Sequence, residues 1–335
     1  MMLKRLAYLV YYYKKLDSAT LKKFIAHVTN KYNVSKISIW KNIIGASLKY
    51  NISILDYFYF KFYELTASEK ETYAGTGYMY EYQLQMNPKK KRVLLENKLL
   101  FLEKYSKFIN HSHSSKKEFL SNTELANKLL NNKSGKIVLK SSDGQCGEGI
   151  KIINAENINE EKLLQELHAT DNDLIEEFIV QHDDLMKLSP SGLNTIRIFT
   201  QLNKNDKVEI LGTRLRITID SYVDNLAAGN IAAPINEKTG IVEGSGVYSD
   251  ITKQDEVKHP ITKVKIIGFQ VPFWEESMQL VKDAALLYKE NRSIGWDVAI
   301  TNNGPELLEG NHNWCKLLWQ LPVKKGLKLT LKKYL

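Results

Sequence analysis

Cysteine is nearly missing from this chain. Cys146 and Cys315 are the only two in 335 residues, no CxxC occurs, and no histidine pair lies near either. Neither a disulfide framework nor a structural zinc site is supported by so few, and a reducing compartment suits the composition. Long apolar runs are missing too. The stretch Leu6-Ala7-Tyr8-Leu9-Val10-Tyr11-Tyr12-Tyr13 comes nearest, and Lys14-Lys15 end it too soon for a spanning helix. No small-residue cleavage site follows, so the expectation is a cytoplasmic protein that touches a membrane at most peripherally. The phosphate loop GxxxxGKS/T does not occur, nor does a serine or cysteine nucleophile motif, and the seven histidines form no catalytic pattern. Acidic residues are the minority charge, 38 against 47 basic, and the net +9 asks for an anionic partner. Nucleic acid, a membrane face, and phosphorylated or uronic-acid substrates all satisfy that demand.

A hydrophobic fraction of 43% is enough for a core, and the length suits about two domains. Through residue 90 the apolar spacing is helical, at Leu3, Leu6, Ala7 and Val10 and again at Leu21, Phe24, Ile25 and Val28, with Asp17-Ser18 as the cap between them. The run Asp56 to Leu65, DYFYFKFYEL, is crowded with aromatics that suit a packed core better than a sugar-stacking or membrane-surface face. Lys89-Lys90-Lys91-Arg92 then open a long helical pattern through Leu94, Leu95, Leu99, Leu102 and Phe108.

Two stretches carry the chemistry. In Gly295 to Asn311, GWDVAITNNGPELLEGN, apolar runs flank Asn302-Asn303-Gly304-Pro305, which predicts a hairpin of buried strands. Antiparallel pairing would bring Asp297, Glu309 and Asn311 to one end of it. Two carboxylates and an amide converging there repel unless a cation sits between them, and hard oxygen ligands favour magnesium over zinc. The alternative is an ordinary hairpin with solvated acidic ends. In Lys136 to Ile153, KIVLKSSDGQCGEGIKII, two β-rich runs flank Gly144, Gly147 and Gly149, a flexible tip whose N–H groups can close over phosphates beside Lys140. An exposed lysine on a glycine-rich hairpin is the plain alternative. Two further strands, Asn194 to Thr200 and Val208 to Ile219, carry Arg197 and then Arg214 and Arg216. Guanidinium groups beside a magnesium site are what phosphoryl transfer needs, and salt bridges to nearby acids are their ordinary use.

The combination NTIRIFT, TRLRI, VDNLAAGN, His259-Pro260 and IGWDVAITNNGPELLEGN resembles the sugar-transfer-associated ATP-grasp family of surface-polysaccharide synthesis. It is also similar to the glutamate-ligase branch of the same superfamily. The resemblance covers roughly residues 90 to 320 and departs from relatives at Asn97, where an acidic residue is usual, and at Ala228-Gly229-Asn230, where paired glycines are. It implies an α+β, ATP-grasp fold of two lobes clasping ATP, with an N-lobe over 91–178 and a C-lobe with the metal site over 179–322; the helical spacing before it gives a helical region over 1–90, and the lysines after it a basic tail over 323–335. Within it, ATP falls to Lys98, Lys140, Gly147 and Asn225, adenine to Glu176 and the backbone of Phe178 and Ile179, with Glu177 admitted by a one-residue register shift. The ribose falls to Asp183, with His182 and Asp184 as rivals. Mg2+ falls to Asp297, Glu309 and Asn311, and Lys140, Arg197 and Arg216 neutralise developing charge. The implied reaction joins a carboxylate, on a uronic acid or a similar sugar or polysaccharide precursor, to an amino acid or other amine, with no nucleic acid involved. A sugar kinase and a non-catalytic nucleotide-binding scaffold remain alternatives. The tail, with its five lysines, reads as a frayed end or a tether to an anionic membrane.

Overall fold

Alternating apolar residues build two antiparallel sheets that flank one cleft in the computed structural model, which describes residues 2–144 and 149–335. The first sheet holds β1 (His113–Ser115), β2 (Lys136–Lys140), β3 (Lys151–Asn154) and β4 (Leu174–Glu177) in the order β1-β4-β2-β3. Ile137, Leu139 and Ile175 turn to one side and pack under Phe119, Leu129, Leu163 and Leu167 of the covering helices. Val138 pairs with Glu176, which puts Glu176 on the opposite face.

The second sheet holds β5 (Ile196–Leu202), β6 (Val208–Ile217), β7 (Ile231–Pro234), β8 (Ser293–Thr301) and β9 (Gly304–Asn311) in the order β7-β6-β5-β8-β9. Ile196, Ile198, Leu215, Trp296, Val298 and Leu307 form one face, buried against Met278, Val281 and Ala285 of the helix Trp274–Leu287. Arg197, Arg216 and Asp297 are left for the other face, beside an aromatic cluster of Phe199, Trp314 and Trp319. Gly295 belongs to that packing: a Cβ there would lie 2.7 Å from Trp314 Cβ, so the indole can cover β8 only where β8 has no side chain. A bulge interrupts β9. Asp297 pairs with Glu309 and Val298 with Leu307, which leaves Leu308 as the extra residue.

The N-terminal region is helical as its periodicity predicts. Asp17 caps Ser18–Tyr32 by accepting from the N–H groups of Ala19 and Thr20. Tyr57, Phe58, Phe60 and Phe62 are buried, so the aromatic run is core. The helix Thr76–Met86 sends Met79, Tyr82 and Met86 into the cluster around Phe199 and Trp319, tying this region to the second sheet. The long helix expected after Lys89 is instead broken at Asn97, whose extended backbone ends Val93–Glu96 while its side chain caps Lys98–Lys104 by accepting from Leu100 N–H. The basic tail does not fray. Its helix Lys328–Lys332 buries Leu331, and the Tyr334 hydroxyl donates to Glu209 Oε2 at 2.7 Å.

Candidate active site

One row of side chains crosses three strands. Pairing sets Arg197 of β5 opposite Asp297 of β8, and Asp297 opposite Glu309 of β9. Arg197 holds Asp297 through two nitrogens: Nε donates to Oδ1, and Nη2 donates to Oδ2 at 2.9 Å. Arg216 Nη2 reaches the same Oδ2 at 2.7 Å and its Nε lies 3.1 Å from Asp224 Oδ2. Thr195 joins them, accepting from Arg216 Nε at 2.8 Å and donating to Asp224. Burial alone would raise the Asp297 carboxyl, but the two guanidinium groups outweigh it and hold the pKa at about 2. Glu309 moves the other way. Burial pushes its carboxyl up and the Asp297 carboxylate adds to the shift, while Asn311 Nδ2 donates to its Oε1 at 3.1 Å. Burial likewise raises Asp224.

From the first sheet, Lys140 forms an ion pair with Glu176. Lys98 approaches from its capped helix and donates to Ser141 O at 3.1 Å and to Gly144 O; burial lowers its pKa. Its helix is fixed to the β2 end, since Lys98 N–H donates to Ser142 O at 3.0 Å and Asn97 Nδ2 to Asp143 Oδ1 at 2.9 Å. Behind Glu176 stands His111. Its Nδ1 donates to Glu306 Oε2 at 2.7 Å, and its Nε2 lies 3.5 Å from Glu176 Oε1. Burial disfavours the charged ring, but the carboxylates on its two sides prevail and push the pKa up to about 9. A chain of charges, Lys140–Glu176–His111–Glu306, therefore bridges the first sheet to β9.

That bridge makes a pH prediction. A pKa raised from 6.5 in the unfolded chain to about 9 in the folded one stabilises the protein fully below pH 6.5, and the contribution is lost as pH rises through 9. Urea midpoints should fall across that interval in the wild type. In His111→Asn the fall should be absent, and an unchanged slope in the variant would remove His111 as its source.

A cavity of about 410 Å³ brings together Lys98, Lys140, Glu176, Arg197, Arg216, Asn225, Asp297, Glu309 and Asn311. Glu177, Phe178, Ile179 and Asp183 do not line it. The carboxylate of Glu177 accepts from Ser112 N–H, Phe178 N–H donates to Lys136 O, and the exposed Asp183 pairs with Asn302 at the turn of the β8–β9 hairpin. Gly147 lies outside the described residues. Thr195, Asp224, His111 and Glu306 are the participants that sequence reasoning missed. Asp224 stands next to Asn225 in the VDN motif and was legible there, whereas His111 gains its meaning from partners 65 and 195 residues away.

The donor set suits a hard cation. Among the described residues no group of three His, Cys, Asp or Glu side chains can hold a metal by itself. Glu309 and Asn311 can offer oxygens, as can Asp297 Oδ1, which accepts from one arginine nitrogen where Oδ2 accepts from two, and the upward pull on Glu309 is one a cation would relieve.

Two sheets flank a cleft lined by lysines, arginines and acids, and the family match identifies the fold as ATP-grasp. Residues 78–334 match the family described as sugar-transfer associated ATP-grasp, and the chain belongs to it. No curated protein matches the chain. Similar solved structures include the biotin carboxylase domain of 2-oxoglutarate carboxylase from Hydrogenobacter thermophilus, with bound MgADP, ADP and bicarbonate. It is 16% identical at a TM-score of 0.39, over 70% of this chain and 46% of that one. N5-carboxyaminoimidazole ribonucleotide synthetase from Thermus thermophilus is 9% identical at 0.41, over 68% and 48%. The ATP-grasp ligase PsnB, complexed with a minimal precursor, is 10% identical at 0.39, over 74% and 63%. The chain spans about half the length of the first two.

Proposed function

We propose that this protein is an ATP- and Mg2+-dependent ligase that joins a carboxylate to an amine through an acyl phosphate. The proposed carboxylate is that of a uronic acid or a similar acid in a surface polysaccharide or its precursor, and the amine is an amino acid or a simple amine. The observation that carries the reading is the row Arg197–Asp297–Glu309 facing Lys98 and Lys140 across one cavity.

A carboxylate oxygen of the acceptor attacks the γ-phosphorus of ATP, the bond to the β-phosphate oxygen breaks, and ADP leaves. The amine nitrogen then attacks the acyl carbon, phosphate leaves with the acyl C–O bond pair, and the nitrogen gives up its proton. No protein side chain becomes covalent. Lys98 and Lys140 are point charges for phosphate oxygens, and Arg216 and Arg197 stabilise the charge that builds on the equatorial oxygens. Thr195 and Asp224 hold Arg216 in place. Magnesium, held by Glu309, Asn311 and Asp297, would neutralise phosphate charge. The family's association with sugar transfer supports a sugar-borne acceptor.

The test is chemical trapping. Uronic acids, their nucleotide-linked forms and short uronate oligosaccharides are each incubated with enzyme, Mg-ATP, mixed amino acids and hydroxylamine. The right acceptor should yield a hydroxamate with ADP and free phosphate in equal amounts. A phosphosugar stable to hydroxylamine, formed without free phosphate or amide, would replace the ligase by a kinase. ATP binding with no turnover on any acceptor would favour the scaffold.

A further inference from the structure

The two segments that composition marks for a membrane surface are both occupied: the aromatic run Asp56 to Leu65 is core, and the tail packs on Glu209. Among the described residues the largest run of exposed apolar side chains lies elsewhere, on the helix Met2–Lys14. Leu9 and Tyr12 of that helix face the N-terminal core, and Arg5 Nη1 donates to Leu48 O and Lys49 O at 2.8 and 2.7 Å, so the helix is already docked by one side. On the other side Leu3, Leu6, Val10 and Tyr13 follow one another at helical spacing, 84%, 49%, 51% and 65% exposed, with Ala7 between them and Tyr11 at the border. Nothing in the described fold uses this stripe.

Its surroundings are basic. Lys4, Arg5, Lys14 and Lys15 precede the first acidic residue, Asp17. Lys14 and Lys15 are exposed and enter no ion pair among the described residues, while Lys4 meets Glu81 at 3.0 Å on the surface. A helix of 13 residues reaches only about 20 Å, short of the ~30 Å hydrocarbon core, so it can lie in an interface and not cross it. An apolar stripe flanked by lysines and tyrosines is the chemistry of a helix that rests at the headgroup level of an anionic bilayer. A second copy of this chain fits less well. Pairing two such faces would set Lys14 and Lys15 of each copy against the other's basic residues, and a stable protein interface takes about 20 to 30 residues a side, against one helix stripe here.

We propose that the Met2–Lys14 helix docks this protein on an anionic lipid surface through Leu3, Leu6, Ala7, Val10 and Tyr13, with Lys14 and Lys15 reaching phosphate headgroups. The proposal is independent of the reaction catalysed, and failure of the ligase reading would leave it intact.

The whole 335-residue chain is sedimented with vesicles of phosphatidylcholine alone and of three parts phosphatidylcholine to one part phosphatidylglycerol. Binding should be confined to the anionic vesicles and weaken as salt is raised. The Leu6→Glu, Val10→Glu double variant should bind them about tenfold less or worse, and Lys14→Gln, Lys15→Gln should lose affinity chiefly at low salt. Lys324→Gln, Lys325→Gln in the tail should bind as the wild type does. Circular dichroism and thermal melting of each variant separate lost binding from lost fold. Equal binding to both vesicle types, wild-type binding by Leu6→Glu, Val10→Glu, or a dimer in solution that this variant disperses would each overturn the proposal.

Discussion

Glu309→Gln should abolish ATP turnover while leaving the protein folded. The carboxyl is forced upward by burial and by Asp297, so replacing it with an uncharged isostere removes a repulsion from the resting protein and costs little stability. Under the proposed function catalysis loses more, because an amide could not supply the anionic oxygen that a magnesium ion held by β9 would require. Losing one charged ligand of a phosphoryl-transfer site should lower kcat by at least about 10²- to 10³-fold, the scale seen when a single preorganised electrostatic group is removed. The measurement is ADP release at limiting and at saturating magnesium, alongside a urea melt. Wild-type turnover at limiting magnesium would take Glu309 out of the site, and with it the assignment of Asp297 and Asn311.

Arg197→Leu should do the reverse damage. It takes away the group that holds Asp297 by two hydrogen bonds, and leaves a carboxylate 2% exposed with Arg216 as its single guanidinium partner. Breaking a buried pair from one side costs about 3 to 5 kcal/mol, because the remaining charge stays buried. Arg197→Leu with Asp297→Leu should recover most of that stability, since Arg216 keeps Asp224 at 3.1 Å, yet stay inactive. The sign of the pH dependence follows from the depressed carboxyl. Its contribution is complete above the unfolded value of 3.8 and is lost as pH falls toward about 2, so wild type and Arg197→Leu should converge in stability over that interval. A double variant no more stable than Arg197→Leu would mean that packing, and not the stranded charge, sets the loss.

What was legible in the sequence was local. Alternation and turn residues locate β5, β6 and the β8–β9 hairpin, and the oxygen-bearing ends of that hairpin follow from antiparallel pairing without any knowledge of the sheet. The break at Asn97 was less accessible, since an asparagine inside an apolar 3.6 pattern shows its preference for capping only when a strand end offers it Asp143. His111 showed no role in the sequence because the two carboxylates that define it belong to β4 and β9, and no spacing rule connects them. The exposed stripe of the first helix was hidden for a similar reason. Periodicity shows that Leu3, Leu6 and Val10 share a face, but only packing decides which face of a helix apolar on both sides turns inward.

The extra residue in β9 changes how that strand can vary. Leu307 and Glu309 are two positions apart, and in a regular strand they would point the same way. The insertion at Leu308 resets the phase, so that Leu307 belongs to the helix-backed core and Glu309 to the cleft. The two halves of the strand thereby answer to separate constraints. The half near the turn can exchange one apolar residue for another to suit the helix Trp274–Leu287 without disturbing the acidic end. The acidic end can in turn be retained through such drift, as a module whose frame is kept by the bulge and not by the length or composition of the hairpin that leads to it.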